Sequence, residues 1–576
     1  MSPANPAQFR ANLRDPLAER LVGPGKAWDL ETTTVRGREQ QVFRGLPRNL
    51  AGIFRRSIAF TDRPMIVHQG VSLTYAEGFA RAAALGRALR EDFAVKPGTK
   101  VAVIASNSPE WILSLIAVTS IGGVAALVHS RGVAEEMLLA IERVGCEVVI
   151  IDAARDDLIS AVRPDPAWPR IVIGEPQCPL RPGRDASFAA LSTPVPDLAF
   201  EPIDIDPDEG AVILFTSGTT GFPKGALLSH GALAASIAVA TFMGVLYDTR
   251  YEEESGEKLP EHQRAMATPA VILGPMFHLG GIMPSLRALS LGTTIHLMGK
   301  WNANIAFDMI EQIGMTRLNF VPAMLFDMFA SPRATPELLA QVRYMANGAA
   351  PLDLALVEQI KRRMPHCQLS NGYGQTEGTA WTCGISGNVY LEHPAACGWA
   401  APSVEVQLRR DDGSEPAIGE PGELWYSSPM LMNEYVGDAQ ATAETLVDGW
   451  LASGDIATVD ERGIFTIIDR KKKMIISGGE NIYCAEVERV LATYPGIREA
   501  IAYGLPDPRM GERLAATLVV APDADVTEEA LMAHCREHLA IYKVPRELRL
   551  ITDALPRTAS GKVDRGTFLK SIKGEA

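Results

Sequence analysis

The sequence predicts an α/β protein: a large N-terminal domain of layered α/β subdomains plus an antiparallel β subdomain, with a small C-terminal α+β domain. Three patterns lead there. From Leu73 to about Leu297, short apolar runs such as Val101–Ala105, Val148–Ile151 and Val212–Phe215 alternate with longer amphipathic stretches, as buried parallel strands alternate with helices. From Val404 to Ile468 the pattern becomes short alternating strands split by turns, among them Asp411-Asp412-Gly413 and Asp460-Glu461-Arg462-Gly463. The basic run Arg470-Lys471-Lys472-Lys473 then precedes a compact mixed segment, which sets the domains at 1–469 and 474–576 with 470–473 between them.

Within that frame, 576 residues exceed one domain unit of ~150 residues several-fold. A hydrophobic fraction of 47%, a charged fraction of 22% and a mean hydropathy of +0.04 describe a folded, water-compatible chain. The formal net charge of −14 repels phosphate backbones and anionic lipid, so nucleic acid is not an expected partner. Residues Met1–Arg20 lack the apolar core of a secretion signal. Trp111–Val128 is free of charge, but Gly122-Gly123 splits it into a buried helix and a short strand. Gly231–Tyr247, Ala-rich and uncharged, reads as a core helix, so no integral membrane segment is expected. Tyr247–Arg264, dense in Glu and broken by Gly256 and Pro260, reads as a solvated surface loop. Seven scattered cysteines without a Cys-x-x-Cys pair argue against a disulfide frame or zinc site and for a reducing, cytoplasmic setting.

The most informative segment is Thr216-Ser217-Gly218-Thr219-Thr220-Gly221-Phe222-Pro223-Lys224-Gly225, which follows an apolar strand. Glycines let backbone amides approach an anion, hydroxyls add donors and the lysine adds charge. The spacing departs from the common P-loop and from Gly-x-Gly-x-x-Gly. Taken alone, the loop also suits an ordinary polar turn.

This loop resembles the phosphate-binding signature of the adenylate-forming superfamily, which includes acyl-CoA synthetases, luciferases and peptide-synthetase adenylation domains. Further motifs between Leu73 and Arg565 follow in the family's order. Asn371-Gly372-Tyr373-Gly374-Gln375-Thr376-Glu377 is similar to the second nucleotide motif. The resemblance puts Tyr373 against adenine, Thr376 on the α-phosphate and Glu377 on magnesium, with Thr219 a further metal contact. Gly348-Ala349-Ala350-Pro351 resembles the wall of the adenine pocket. Trp450–Asp455 is similar to the ribose motif, which gives Asp455 both ribose hydroxyls; Ile467 and Arg470 join the nucleotide site. A carboxylate suits that task because it has two acceptor oxygens and no donor. Lys472 falls at the family's hinge, with Lys471 and Lys473 read as solvated, and Ser477-Gly478-Gly479-Glu480 falls at the tunnel for the thiol arm. Leu555–Lys562 resembles the C-terminal motif that makes Lys562 the adenylation lysine, carried on a mobile small domain.

The resemblance implies ATP, Mg2+ and CoA as reagents and a carboxylic acid as substrate, joined through an acyl adenylate; it leaves a homodimer open. Both reactants are anions, so Glu377 with its metal, Lys224 and Lys562 would neutralise charge at the α-phosphate. The acid pocket is expected among Met276, Phe277, His278, Gly280, Gly281, Phe320, Gly348, Gly372, Gly374, Gly378 and Trp381, with His278 as lining and not as a base. Acetate-selective relatives carry tryptophan where this chain has Gly374, so an acid larger than propionate is expected: a medium or long fatty acid, or a bulky aryl or alicyclic acid. Two alternatives stay open: a ligase that loads a carrier protein's phosphopantetheine, and a nucleotide-binding regulator without turnover.

Overall fold

The computed structural model describes residues 14–216, 224–299, 301–320, 322–347, 354–477, 480–507, 510–539, 541–557 and 563–573. The chain forms two compact units, Met1–Val406 with Tyr426–Leu451 and Arg462–Ile464, and Gln407–Trp425 with Ala452–Glu461 and Phe465–Ala576. Most of the antiparallel strand region therefore groups with the C-terminal segment.

The first unit holds an eight-stranded sheet in the order Glu434–Tyr435, Lys224–Ser229, Gly210–Thr216, Val124–Leu127, Lys100–Ile104, Val148–Asp152, Arg170–Ile173, Ala186–Ser187. Its centre is parallel, with Val101 opposite both Ala125 and Val148. Strands buried on both faces need near-continuous apolar sequence, which is why Val101–Ala105 carries no polar residue. The stretch Trp111–Val128 is the buried pair anticipated: Ser108 caps the helix Pro109–Ser120, Gly122 turns at φ 80°, and Val124–Leu127 is fully enclosed. Each fully buried Ile or Leu here contributes roughly 1.5–3 kcal/mol over exposure.

A second sheet runs Ala270–Ile272, Ile295–Leu297, Pro64–His68, Val71–Thr74. A third places Arg317–Phe320, Tyr344–Asn347 and Gln368–Tyr373 in parallel, then adds Cys383–Ser386 and Trp399–Ala400 antiparallel. Its core, around Phe307, Leu318, Met345 and Leu369, is separate from that of the first sheet.

The helix His230–Ser255 is long and apolar enough to cross a membrane by composition, but 72% of its most apolar stretch is buried inside the protein, as befits a core helix. It also corrects the reading of Tyr247–Arg264 as a solvated loop: the helix continues to Ser255 and Tyr247, Asp248 and Arg250 are buried. The charges are paired. Asp248 meets Arg317 and accepts from the Ala265 amide at 2.7 Å, and Arg250 meets Asp15. Glu252 binds Lys258 at 2.8 Å and Arg264 at 2.6 Å, while Glu254 accepts from the Asn388 amide.

Strands Glu405–Arg409, Gly422–Ser427, Trp450–Val459 and Phe465–Arg470, most of whose residues fall in the second unit, lie side by side in that order. The C-terminal segment forms another sheet, in which Ile497–Asp507 and Gly511–Val520 pair antiparallel and Glu547–Ile551 joins parallel. The helices Cys484–Ala492 and Glu528–His538 close its core through Val487, Leu491, Leu531 and Cys535. All seven cysteines are free.

Candidate active site

Ligands in open parallel sheets gather at the carboxyl ends of strands. Gly210–Thr216 runs parallel to Val124–Leu127 and ends at Thr216, then returns antiparallel as Lys224–Ser229, with Thr216 opposite Lys224. Thr216 and Lys224 thus flank the expected phosphate loop. Ser217, Gly218, Thr219, Thr220 and Gly221 lie outside the described residues, as do Gly348, Ala349, Ala350, Gly478, Gly479 and Lys562.

In the third sheet, Phe320 stands opposite Asn347 and Asn347 opposite Asn371. Three parallel strands therefore deliver Phe320, the entry to the Gly348 segment and the Tyr373–Glu377 motif to one edge. Past Tyr373 the chain tightens: Thr376–Gly378 makes a single 3-10 turn, and Thr379 (φ 49°) and Ala380 (φ 93°) take left-handed backbone that ordinary side chains avoid. Thr379 is held there by its hydroxyl bond to the Met430 carbonyl at 2.6 Å. Gln375 donates to the Tyr373 hydroxyl at 3.0 Å and Asn371 to the Ala396 carbonyl at 2.8 Å, so both amides brace the motif.

Gly374 has a different cause from the one expected. A Cβ there would fall on the Ala380 carbonyl, so close backbone approach enforces glycine and that direction is filled. Similarly, a Cβ on Gly378 would meet the Tyr426 ring at 2.8 Å, and one on Gly281 the Met276 Cα at 2.6 Å. Only Gly280 of these faces open space within 4 Å. Met276 and Phe277 are members of the main core, and Phe320 of the third sheet's core. His278 stands just before the helix Leu279–Leu291 with its ring 4.7 Å from Phe277 and 6.0 Å from His129. His129, whose imidazole burial holds below its usual pKa, was not singled out from the sequence.

Tyr435 was also missed. Its hydroxyl donates to Glu377 Oε1 at 2.6 Å, and Lys224 Nζ sits 5.0 Å over its ring and 3.7 Å from Asp438. Burial, with the Glu377 carboxylate beside it, pushes the Tyr435 phenol well above its ordinary pKa, so it remains a donor. The strand Glu434–Tyr435 gets there by pairing with Ala226 and Leu227, and the Met432 amide donates to the Glu377 carbonyl at 2.7 Å. One short strip thus ties the phosphate hairpin to the second motif. No residue type around Tyr435 flags it in one dimension.

Glu377 is buried, and among the described residues no cation pairs with it. A buried carboxylate without a counter-charge is costly, so this hard-oxygen donor fits a magnesium ion.

In the second unit, Asp455 is buried opposite Arg470 on the neighbouring strand, and Arg470 Nε meets Asp455 Oδ1 at 3.0 Å. Ile467 lies on the same strand opposite Ala457. Lys471 is not a free solvated lysine: it bridges Asp411 at 2.8 Å and Glu423 at 3.0 Å. Asp469 accepts from the Arg470 and Ala485 amides, fixing the chain that enters Lys472 and the helix Cys484–Ala492. Ser477 is opposite Glu480 in a hairpin. Arg557 and Val563, on either side of the Lys562 segment, form a bridge.

The pattern of AMP-binding enzymes matches residues 54–436, and that of the AMP-binding enzyme C-terminal domain matches 486–562. The chain belongs to the AMP-binding enzyme family. Its expected membership of the adenylate-forming superfamily thereby holds, as an AMP-forming acid–CoA ligase that uses ATP, magnesium and CoA. It is 34% identical over 514 residues to a feruloyl-CoA synthase of an Amycolatopsis species, covering 89% of this chain and 96% of that one. It is 30% identical over 496 residues to the long-chain-fatty-acid–CoA ligase FadD13 of Mycobacterium tuberculosis, covering 86% and 92%. Among solved structures, the amide bond synthetase McbA of Marinactinospora thermotolerans superposes with a TM-score of 0.78 at 28% identity, over 91% of this chain and 99% of that one.

Proposed function

We propose that this ligase activates a carboxylic acid larger than propionate, either a medium- or long-chain fatty acid or a bulky aryl or alicyclic acid, in the cytoplasm. Acid and ATP give acyl adenylate and pyrophosphate; acyl adenylate and CoA thiol give acyl-CoA, AMP and a proton. The observation that carries the reading is the run Lys224, Tyr435, Glu377, in which a buried carboxylate accepts from a phenol whose ring lies beneath an ammonium group.

Each residue has a separate task. Magnesium supplies charge neutralisation at the phosphates when bound. Glu377, which Tyr435 orients, would be its carboxylate ligand, and Thr219 would be a second. Thr376 and the loop Thr216–Gly221 with Lys224 hold the phosphates; Tyr373, Asn371, Gln375 and Gly348–Ala350 hold the base. Asp455 accepts from the ribose hydroxyls, and Arg470 and Ile467 lie beside it. Lys562 neutralises the attacking carboxylate as its oxygen closes on the α-phosphorus. Residues 474–576 then turn about Lys472, and the Ser477–Glu480 loop admits the thiol arm. Its sulfur attacks the acyl carbon and AMP leaves.

Pyrophosphate release with ATP, magnesium and a panel of acids, with and without CoA, tests this. Pyrophosphate together with acyl-CoA supports it. Accumulation of acyl adenylate despite CoA identifies a carrier-protein ligase, and no pyrophosphate from any acid identifies a regulator.

A further inference from the structure

Arg287 is a cation enclosed by protein without an anion. It lies on the helix Leu279–Leu291, donates through Nη2 to the Ala265 carbonyl at 2.6 Å, and has a buried Nε with no partner among the described residues. Among those residues no carboxylate pairs with it. Its neighbour Arg317 is provided for: it meets Asp248, which also accepts from the Ala265 amide at 2.7 Å. Arg317 Cζ stands 4.9 Å over the Tyr344 ring, and Tyr344 is also the phenol nearest in effect to Arg287. Two guanidinium groups thus stand by Tyr344, and one carboxylate answers them. A buried charge left without its counter-charge is costly.

The guanidinium of Arg287 also faces space. Burial lowers it to about 10, so it stays charged at neutral pH, yet part of its surface remains accessible. Arg317 and Tyr344 combine the same burial with part-accessible surface. Groups that are deeply enclosed and still accessible border a space that reaches into the protein. That space follows one face of the helix: Gly280, Pro284 and Arg287 keep accessible surface, while the residues between them are buried. A Cβ on Gly280 would meet nothing within 4 Å. On the neighbouring helix His230–Ser255, a Cβ on Gly244 would fall 2.7 Å from Ala265 Cβ and 3.4 Å from Arg287 Nη2, so glycine leaves the guanidinium its place.

The depth can be measured along two elements. From Gly280 to Arg287 the helix rises about 10 Å. From Asn347, where the strand leads into the Gly348 segment, back to Tyr344 is again about 10 Å. Both starting points border the expected acid pocket.

We propose that Arg287 is the specificity-determining residue at the far end of this pocket, and that the acid carries a second carboxylate, remote from the one that is activated, which pairs with it. This rests on the reading that Gly280 and Gly348 border the acid pocket, and it narrows the acids proposed above to dicarboxylic ones. The planar guanidinium fork takes a carboxylate through two parallel hydrogen bonds, whereas a methyl end would leave the cation unanswered.

The test measures pyrophosphate release from acids that differ only at the far end: suberate against octanoate, sebacate against decanoate, and para-carboxyphenylpropanoate against para-methylphenylpropanoate. Wild type has the higher kcat/KM for the diacid on its best scaffold. Arg287→Met lowers the ratio of diacid to monoacid roughly 30-fold or more, and Arg287→Lys, which keeps the charge without the fork, lowers it less. A wild-type preference for the monoacid on every scaffold overturns the inference. So does an unchanged ratio in Arg287→Met, including equal loss with both acids, which would reduce Arg287 to a structural donor to Ala265. Should Arg287→Met fail to fold, Arg287→Gln gives the same readout. No pyrophosphate with any acid is a separate outcome, which refutes the ligase reading itself.

Discussion

Replacing Tyr435 with phenylalanine isolates a single interaction in the site. The ring that Lys224 overlooks at 5.0 Å is kept, as is the buried volume; only the hydroxyl that donates to Glu377 at 2.6 Å is lost. A hydrogen bond to a charged group contributes about 1.5–3 kcal/mol. At roughly 1.4 kcal/mol per tenfold, Tyr435→Phe lowers kcat/KM for adenylation about 10- to 150-fold. The loss deepens at limiting magnesium, because Glu377 is the carboxylate that Tyr435 orients. The assay is initial-rate pyrophosphate release over a magnesium titration, with a melting curve to establish that the variant folds. Activity within twofold of wild type across the titration would refute the reasoning and reduce Tyr435 to packing.

Three further outcomes follow from other parts of the molecule. Lys562→Ala abolishes pyrophosphate release from acid and ATP but retains thioester formation from supplied acyl adenylate; equal loss of both halves contradicts the assigned roles. Arg470→Met raises the KM for ATP about tenfold and also lowers Tm, because Arg470 is 58% exposed but its partner Asp455 is only 4% exposed and loses a counter-charge; a fall in Tm with the KM for ATP unchanged would make Arg470 purely structural. Burial lowers the His230 imidazole to about 4 from an ordinary 6.5, so the unfolded chain binds a proton more readily between those values. His230 therefore contributes stability that is present above pH 6.5 and lost as pH falls toward 4, at most about 3 kcal/mol. His230→Phe flattens the decline of Tm across that window, and an unaltered decline counts against it.

The layered fold was legible because strands buried on both faces leave runs such as Val148–Ile151 that no surface segment would carry. The motifs were legible because each packs several rare requirements into a few adjacent residues. Tyr247–Arg264 was misread for the opposite reason. Its charges are satisfied by Asp15, Arg317 and Asn388, all far away in sequence, and a paired acid is indistinguishable from a solvated one until the chain is folded. Gly374 was correctly noticed but wrongly explained, since the carbonyl that excludes a side chain belongs to Ala380, itself in an unusual conformation. Tyr435 escaped because an aromatic residue in a two-residue edge strand carries no periodicity.

The edge strand Glu434–Tyr435 also constrains how the chain can be cut and recombined. It belongs to the first compact unit although it follows residues 407–425 of the second. Truncation after Val406 would therefore strip Glu377 of its phenol and bare the next strand, Lys224–Ser229, as the outer edge of the eight-stranded sheet. A hybrid joined at that point would inherit a foreign residue against its own Glu377, whereas a junction beyond Leu451 keeps donor and acceptor from the same parent.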